Sequence, residues 1–318
     1  MHFLPFATTP LYSSPTSWFH RKYVYQKISS LLPSLDDLIS LVKKEIQICT
    51  RVEEQYPKNY YAWTHRMYVL QSLQTTIYNN QTTTHIQRSD NIRKFQTLLQ
   101  EEWSTVEPWL RKHLSDHSAA HFGGCILRMS IWGNQQQLTS ILQEEKGAST
   151  ASQTVREALN IAQKALETAR RLIASYPSRE VLWIFRRICS HAFVNLIADI
   201  FNFEGKNISE AMDVVKESVS AFWADEVKSL LSKDSIITPT VDAYFNGSEE
   251  DKERILHQTF RLSYVAWILE IISKDAKKRN ILLGICGVQD LEFRDAVGKA
   301  RSILQASDHI PFNMYRSS

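Results

Sequence analysis

The chain has 318 residues, 37 of them basic and 34 acidic, for a formal net charge of +3. Hydrophobic residues make up 43% and charged residues 22%, the balance of a folded globular protein, which excludes global disorder. A charge so even excludes the basic footprint of a nucleic-acid binder or a membrane-surface protein.

Only 9 Gly and 9 Pro interrupt the sequence, so long helices are expected and a many-stranded β fold is not. The first clear element runs from about Ser34 to Tyr56. Leu35, Leu38, Val42, Ile46, Cys49, Val52 and Tyr56 recur at helical spacing, Ser34 and Asp37 form a capping pattern, and Pro57 ends the run. Shorter apolar helical stretches follow at 60–77, 90–110 and 118–132. A second strong face comprises Leu159, Ala162, Leu166, Ala169, Ile173 and Tyr176, followed by Pro177. After a stretch at 180–200, a third face comprises Ile208, Met212, Val215, Val219, Phe222 and Leu230, and late helices are expected at 250–273 and 287–306. Polar segments without periodicity at 78–90, 133–152 and 232–249 read as loops. The expected fold class is all-α, an alpha-alpha superhelix of stacked helical hairpins forming one domain over 1–318. Its repeats lie near 11–30, 34–78, 90–132 and 153–200, with C-terminal helices over 207–306.

Cys49, Cys125, Cys189 and Cys286 lie far apart and read as buried thiols of a reducing, cytoplasmic compartment. The N-terminus lacks the basic and apolar regions of a signal peptide, and no apolar run is long enough to predict a membrane span. Dinucleotide, P-loop, zincin and nucleophile-elbow motifs are absent from the sequence, and the His spacing predicts no metal site in this chain.

An internal repeat is visible. Tyr56-Pro57-Lys58-Asn59-Tyr60-Tyr61-Ala62-Trp63-Thr64-His65-Arg66 and Tyr176-Pro177-Ser178-Arg179-Glu180-Val181-Leu182-Trp183-Ile184-Phe185-Arg186 share Tyr-Pro, then Trp, then Arg three residues on. Pro15-Thr16-Ser17-Trp18-Phe19-His20-Arg21-Lys22 is another copy. Asp116-His117-Ser118-Ala119-Ala120-His121-Phe122-Gly123 is a degenerate one, with Ala120 and Gly123 at the Trp and Arg positions. Each unit of roughly 40 residues reads as one helical hairpin. Trp18, Trp63 and Trp183 are expected to fill the space between hairpins. Arg21, Arg66 and Arg186, on the same helix face, would tie terminal carbonyls or a carboxylate of a neighbouring helix. His20 and His65 read as hydrogen-bonded core histidines rather than acid–base catalysts. Asp116, His117 and His121 read as a polar hairpin junction.

These blocks resemble the repeat of protein prenyltransferase alpha subunits. The Ser115–Phe122 block and the Pro15–Lys22 block make the set most similar to the alpha-type members of a third geranylgeranyltransferase. Gly123 departs from the family's Arg, Phe122 from its Tyr and Phe185 from its His. The resemblance implies an alpha-type subunit of a heterodimeric transferase, inactive alone. The reaction moves a geranylgeranyl or farnesyl group from a prenyl diphosphate to a cysteine near the C-terminus of a protein substrate. It also implies a beta-subunit partner of the Rab geranylgeranyltransferase type. That partner carries the zinc, and this chain binds no cofactor directly. By the same resemblance Lys58 and Tyr60 would stabilise the leaving diphosphate, with Asn59 and His121 against substrate. Lys58 reads equally as a solvated turn residue and Tyr60 as a packing residue. The alternative function is a non-catalytic helical-repeat scaffold.

Overall fold

A computed structural model of the chain describes residues 14–79, 84–143, 148–202, 209–228, 248–287, 293–295, 297–298 and 302. The contacts divide the chain at Gly133 into two compact units, residues 1–133 and 134–318, where the sequence suggests one continuous domain. Both units are all-α and built of packed helical hairpins, as the sequence predicts. No strand occurs among the described residues.

The first unit holds α1 (Pro15–Ser29), α2 (Leu35–Gln55), α3 (Tyr60–Asn79), α4 (His85–Lys112) and the start of α5 (His117–Gln143). Ser34 caps α2, its Oγ accepting a hydrogen bond from the Asp37 amide at 3.1 Å. Leu38, Leu41, Val42, Ile46, Cys49 and Val52 of α2 are buried and pack on α3. The chain then reverses through Tyr56–Asn59. Lys58 there adopts φ 68°, a left-handed conformation that L side chains adopt at a cost of about 1–2 kcal/mol. Asn59 caps α3 by accepting from the Ala62 amide at 3.1 Å.

The second unit holds α6 (Ala148–Ser175), α7 (Glu180–Phe201), α8 (Ser209–Trp223), α9 (Glu249–Lys274) and α10 (Ala276–Cys286). A π-helical turn, Ala224–Lys228, extends α8. Leu159, Ala162, Leu166, Ala169 and Ile173 of α6 face the core, and α6 packs on both α7 and α8. By length and composition α7 could cross a membrane, which the sequence reading did not anticipate. In the structure 72% of its apolar window is buried inside the protein, so it is the core helix of this unit.

Two polar segments expected as loops are largely helical. Thr84 begins α4 with a capping box, its Oγ1 accepting from the Gln87 amide while Gln87 Oε1 accepts from the Thr84 amide. Only 80–83 of the 78–90 segment lie outside the described residues. The 133–152 segment continues α5 to Gln143 and begins α6 at Ala148. Its amides find polar partners, as when Gln135 donates to Asp199 at 2.7 Å. Helix α10 occupies 276–286, between the two late helices expected from the sequence. Asp275 starts it by accepting from the Lys278 amide. Most of the expected loop at 232–249, most of the helix at 287–306, and positions Ile208 and Leu230 lie outside the described residues.

Candidate functional site

The site is built on the Trp–Arg pairs that recur at the start of alternate helices. Trp18, Trp63 and Trp183 are 4%, 4% and 2% exposed. Each associated Arg pairs with a carboxylate on a later helix. Arg21 forms a fork with Glu45 of α2, Nε to Oε2 at 2.6 Å and Nη2 to Oε1 at 2.8 Å. Arg66 donates from Nε to Glu102 of α4 at 2.7 Å and from Nη1 to Glu53 of α2 at 2.6 Å. In the second unit Arg186 donates to Glu226 of the π-turn at 2.7 Å. Arg66 and Arg186 also lie over the Trp63 and Trp183 rings, each at 5.4 Å. Such two-point pairing suits the planar guanidinium and fixes one helix against the next.

Burial alone would raise the Glu45 carboxyl, but hydrogen bonds from His65 and Arg21 hold it below the ordinary carboxylate value. His65 Nε2 lies 2.9 Å from Glu45 Oε2, and its ring packs beside Trp18 and Tyr25. His65 is thus a buried, hydrogen-bonded histidine. His20, at the equivalent position of α1, is exposed and is not the core residue the motif suggested. Its counterpart His65 is covered by α1, whose Trp18 and Tyr25 rings pack against it.

Asp116 is a buried hub. Its Oδ1 caps α5 by accepting from the Ala119 amide at 3.1 Å. Its Oδ2 accepts from two indoles, Trp63 Nε1 at 3.2 Å and Trp109 Nε1 at 2.9 Å. One carboxylate therefore orients the starts of both α3 and α5.

Between those starts lies an open cleft of about 330 Å³. Tyr60, Trp63, Thr64 and Met67 line it from α3, and His117, Ser118, His121 and Phe122 from α5. Tyr60 is 61% exposed, and His117 and His121 are also exposed. Desolvation and the Arg128 cation hold the His121 imidazole below its ordinary pKa, so the ring is neutral at neutral pH. The cleft thus offers an aromatic and thioether floor edged by a phenol, two hydroxyls and two imidazoles, a wall able to hold an apolar chain and to orient a polar end.

Of the residues singled out in the sequence, Tyr60, His117 and His121 come together at the cleft. Lys58 is exposed two residues before Tyr60 and does not line it. The Asn59 Oδ1 is engaged as a helix cap. Trp18, Arg21, His65, Arg66, Asp116, Trp183 and Arg186 form the buried junctions. Among the described residues no three His, Cys, Asp or Glu side chains converge, so these residues do not fit a zinc ion. Sequence reasoning missed the acids at those junctions. Glu45 and Glu53 interrupt the apolar face of α2, which was a usable signal. Glu102 and Glu226 offered none, because nothing local marks which acid an Arg on another helix will select.

The protein prenyltransferase alpha subunit repeat matches residues 42–73, covering most of α2, the turn at Lys58 and most of α3. The chain carries this prenyltransferase alpha repeat. The human protein prenyltransferase alpha subunit repeat-containing protein 1 is 27% identical over 260 residues, covering 72% of this chain and 58% of that protein. Protein 1-A of Xenopus laevis is 25% identical over 207 residues, 57% of this chain and 44% of the relative. The Danio rerio protein is 26% identical over 198 residues, 55% of this chain and 42% of the relative. The chain thus matches about half the length of these curated relatives. The matched repeat contains Tyr60, Trp63, Thr64 and Met67, so the α3 wall of the cleft is itself prenyltransferase alpha repeat.

Proposed function

We propose that the chain is the alpha-type subunit of a heterodimeric protein prenyltransferase, acting in the cytoplasm with a beta-type partner of the Rab geranylgeranyltransferase kind. The reaction transfers a geranylgeranyl or farnesyl group from prenyl diphosphate to a cysteine near the C-terminus of a protein substrate. The zinc that such chemistry uses to hold a thiolate belongs to the partner. The observation that carries this reading is the coincidence of the family repeat with one wall of the cleft.

This chain's own contribution is electrostatic. Lys58 and Tyr60 stand at the start of α3, where helix geometry also favours anions. An ammonium and a phenol there would stabilise charge gathering on the departing diphosphate. The exposed Tyr60 hydroxyl donates to a phosphate oxygen, and His121 lies across the cleft to hold the acceptor segment. The strained turn supplies a clean test. Lys58→Gly removes the ammonium while relieving the positive φ, so the fold should gain up to about 1 kcal/mol. With a co-expressed beta subunit, this variant is expected to transfer farnesyl or geranylgeranyl groups at least tenfold more slowly in single turnover, with an unchanged or higher thermal midpoint. Unchanged transfer would remove Lys58 from the mechanism.

A second reading, a non-catalytic repeat scaffold, is favoured by two observations. The Asn59 side chain is committed to a cap, and the third repeat has Ala120 and Gly123 in place of Trp and Arg. Stacked hairpins serve binding as readily as catalysis. Co-purification with no prenyltransferase beta subunit, and no transfer with either diphosphate, would favour the scaffold.

A further inference from the structure

Cys125 and His121 are four residues apart on α5, one turn along the same helix face. The Cys125 Sγ lies 3.7 Å from His121 Nε2 and 3.1 Å from Met67 Sδ of α3. His121 and Met67 line the cleft, and Cys125 sits directly behind them, 4% exposed. One thiol thus touches both a thioether of α3 and an imidazole of α5, and both of those side chains line the open cleft. The transferase reading above uses His121 against the acceptor segment and gives Cys125 and Met67 no role.

We propose that Cys125, Met67 and His121 form a binding site for a monovalent copper ion on the wall of this cleft. Geometry favours a three-coordinate ion. With metal–sulfur bonds of about 2.3 Å and metal–nitrogen bonds of about 2.0 Å, a 3.7 Å separation of sulfur and nitrogen subtends about 120° at the metal. The two sulfurs must part by about 1 Å to reach the same angle, which the flexible, unbranched Met67 side chain can supply.

Ligand chemistry selects the ion. Thiolate and thioether donors are soft and prefer Cu(I) over the harder divalent metals. Charge selects it too. One thiolate and one Cu(I) sum to zero, whereas a dication would leave a net positive centre against Arg128, whose Nη2 donates to Cys125 Sγ at 3.1 Å. With Cu(I) bound, that guanidinium stays as a donor to the coordinated sulfur, the outer-shell role common around metal thiolates. Binding forms the copper–sulfur bond and releases the thiol proton to solvent, and no electron is transferred. The neutral His121 ring leaves a lone pair for the metal.

The test uses the full chain under anaerobic conditions, with Cu(I) presented as its bicinchoninate complex. One equivalent of copper should move to the protein, and X-ray absorption should show two sulfur neighbours and one nitrogen. Cys125→Ser should abolish transfer of the ion. Met67→Leu and His121→Ala should each weaken binding at least tenfold, and Cys286→Ser should leave it unchanged. Because His121 is exposed, its variant keeps the fold, which circular dichroism verifies. Failure of the parent chain to compete for copper, full affinity in both His121→Ala and Met67→Leu, or loss of binding in Cys286→Ser would each overturn the site.

Discussion

Glu226→Gln will destabilise the second unit by about 3–5 kcal/mol, the scale for breaking a buried charge pair from one side. Glu226 is fully buried and accepts from three groups on three helices: Arg170 Nε of α6 at 2.7 Å, Arg186 Nε of α7 at 2.7 Å, and the Tyr264 hydroxyl of α9. Tyr264 is in turn 2.7 Å from the Ser190 hydroxyl of α7. Burial would raise the Glu226 pKa, but Arg186 and Tyr264 hold it below the ordinary carboxylate value, so it is ionised at neutral pH. An amide preserves shape and removes the charge, leaving the buried Arg186 cation uncompensated. The expected signature is faster amide hydrogen exchange in α7 and α9, the helices that carry Arg186 and Tyr264. The double variant Arg186→Met, Glu226→Leu should recover most of the loss, since an apolar replacement of a whole buried pair is often neutral. A Glu226→Gln protein with unchanged exchange, or a double variant worse than the single, would show that the pair does not hold these helices together.

The sequence displayed the hairpins because their physics is local. Apolar residues at helical spacing, a Ser34 cap and Pro57 or Pro177 at the turns each act within a few positions, and the faces expected of α2 and α6 are buried as predicted. The 78–90 segment is polar in composition and yet begins α4, because Thr84 and Gln87 form a capping box there. That pattern starts a helix whatever the polarity of the residues around it. The site was legible in half. Tyr60 and His121 stand on the cleft because each lies in the first turns of a helix within a repeat signature, a local property. The partners of Arg66 and Arg186 are set by helix packing across 13 to 40 residues of chain. The copper ligands fell outside reach for the same reason. His121 and Cys125 share a helix face, but Met67 joins them only once α3 lies alongside α5.

Stability of the first unit should fall as pH rises from about 5 to 7, opposite to the usual behaviour of proteins held together by carboxylate pairs. The cause is a charge imbalance at the second junction. Arg66 faces two buried carboxylates, Glu53 and Glu102, with Asp116 nearby and the Cys49 thiol one turn before Glu53. One cation neutralises one of them. Burial, the largest influence, outweighs the Arg66 attraction and pushes Glu53 up to about 7 from its ordinary 4.5, with Glu102 and Asp116 adding to the rise. Its Oε1 has no hydrogen-bond partner among the described residues. The native state therefore holds a proton that the unfolded chain releases above about 4.5, and native stability declines through that window before levelling off above 7. At about 1.4 kcal/mol per unit the decline amounts to about 3 kcal/mol. Glu45 works in the other direction, since its lowered pKa removes stability as pH falls below the ordinary carboxylate range, so the unit should be most stable near pH 5. Glu53→Gln mimics the protonated acid. It should match the parent near pH 5 and exceed it at pH 7.5, and its denaturation midpoint should be nearly flat between the two. Parallel pH profiles for parent and variant would mean that Glu53 is ionised in the native state and that Arg66 carries both acids.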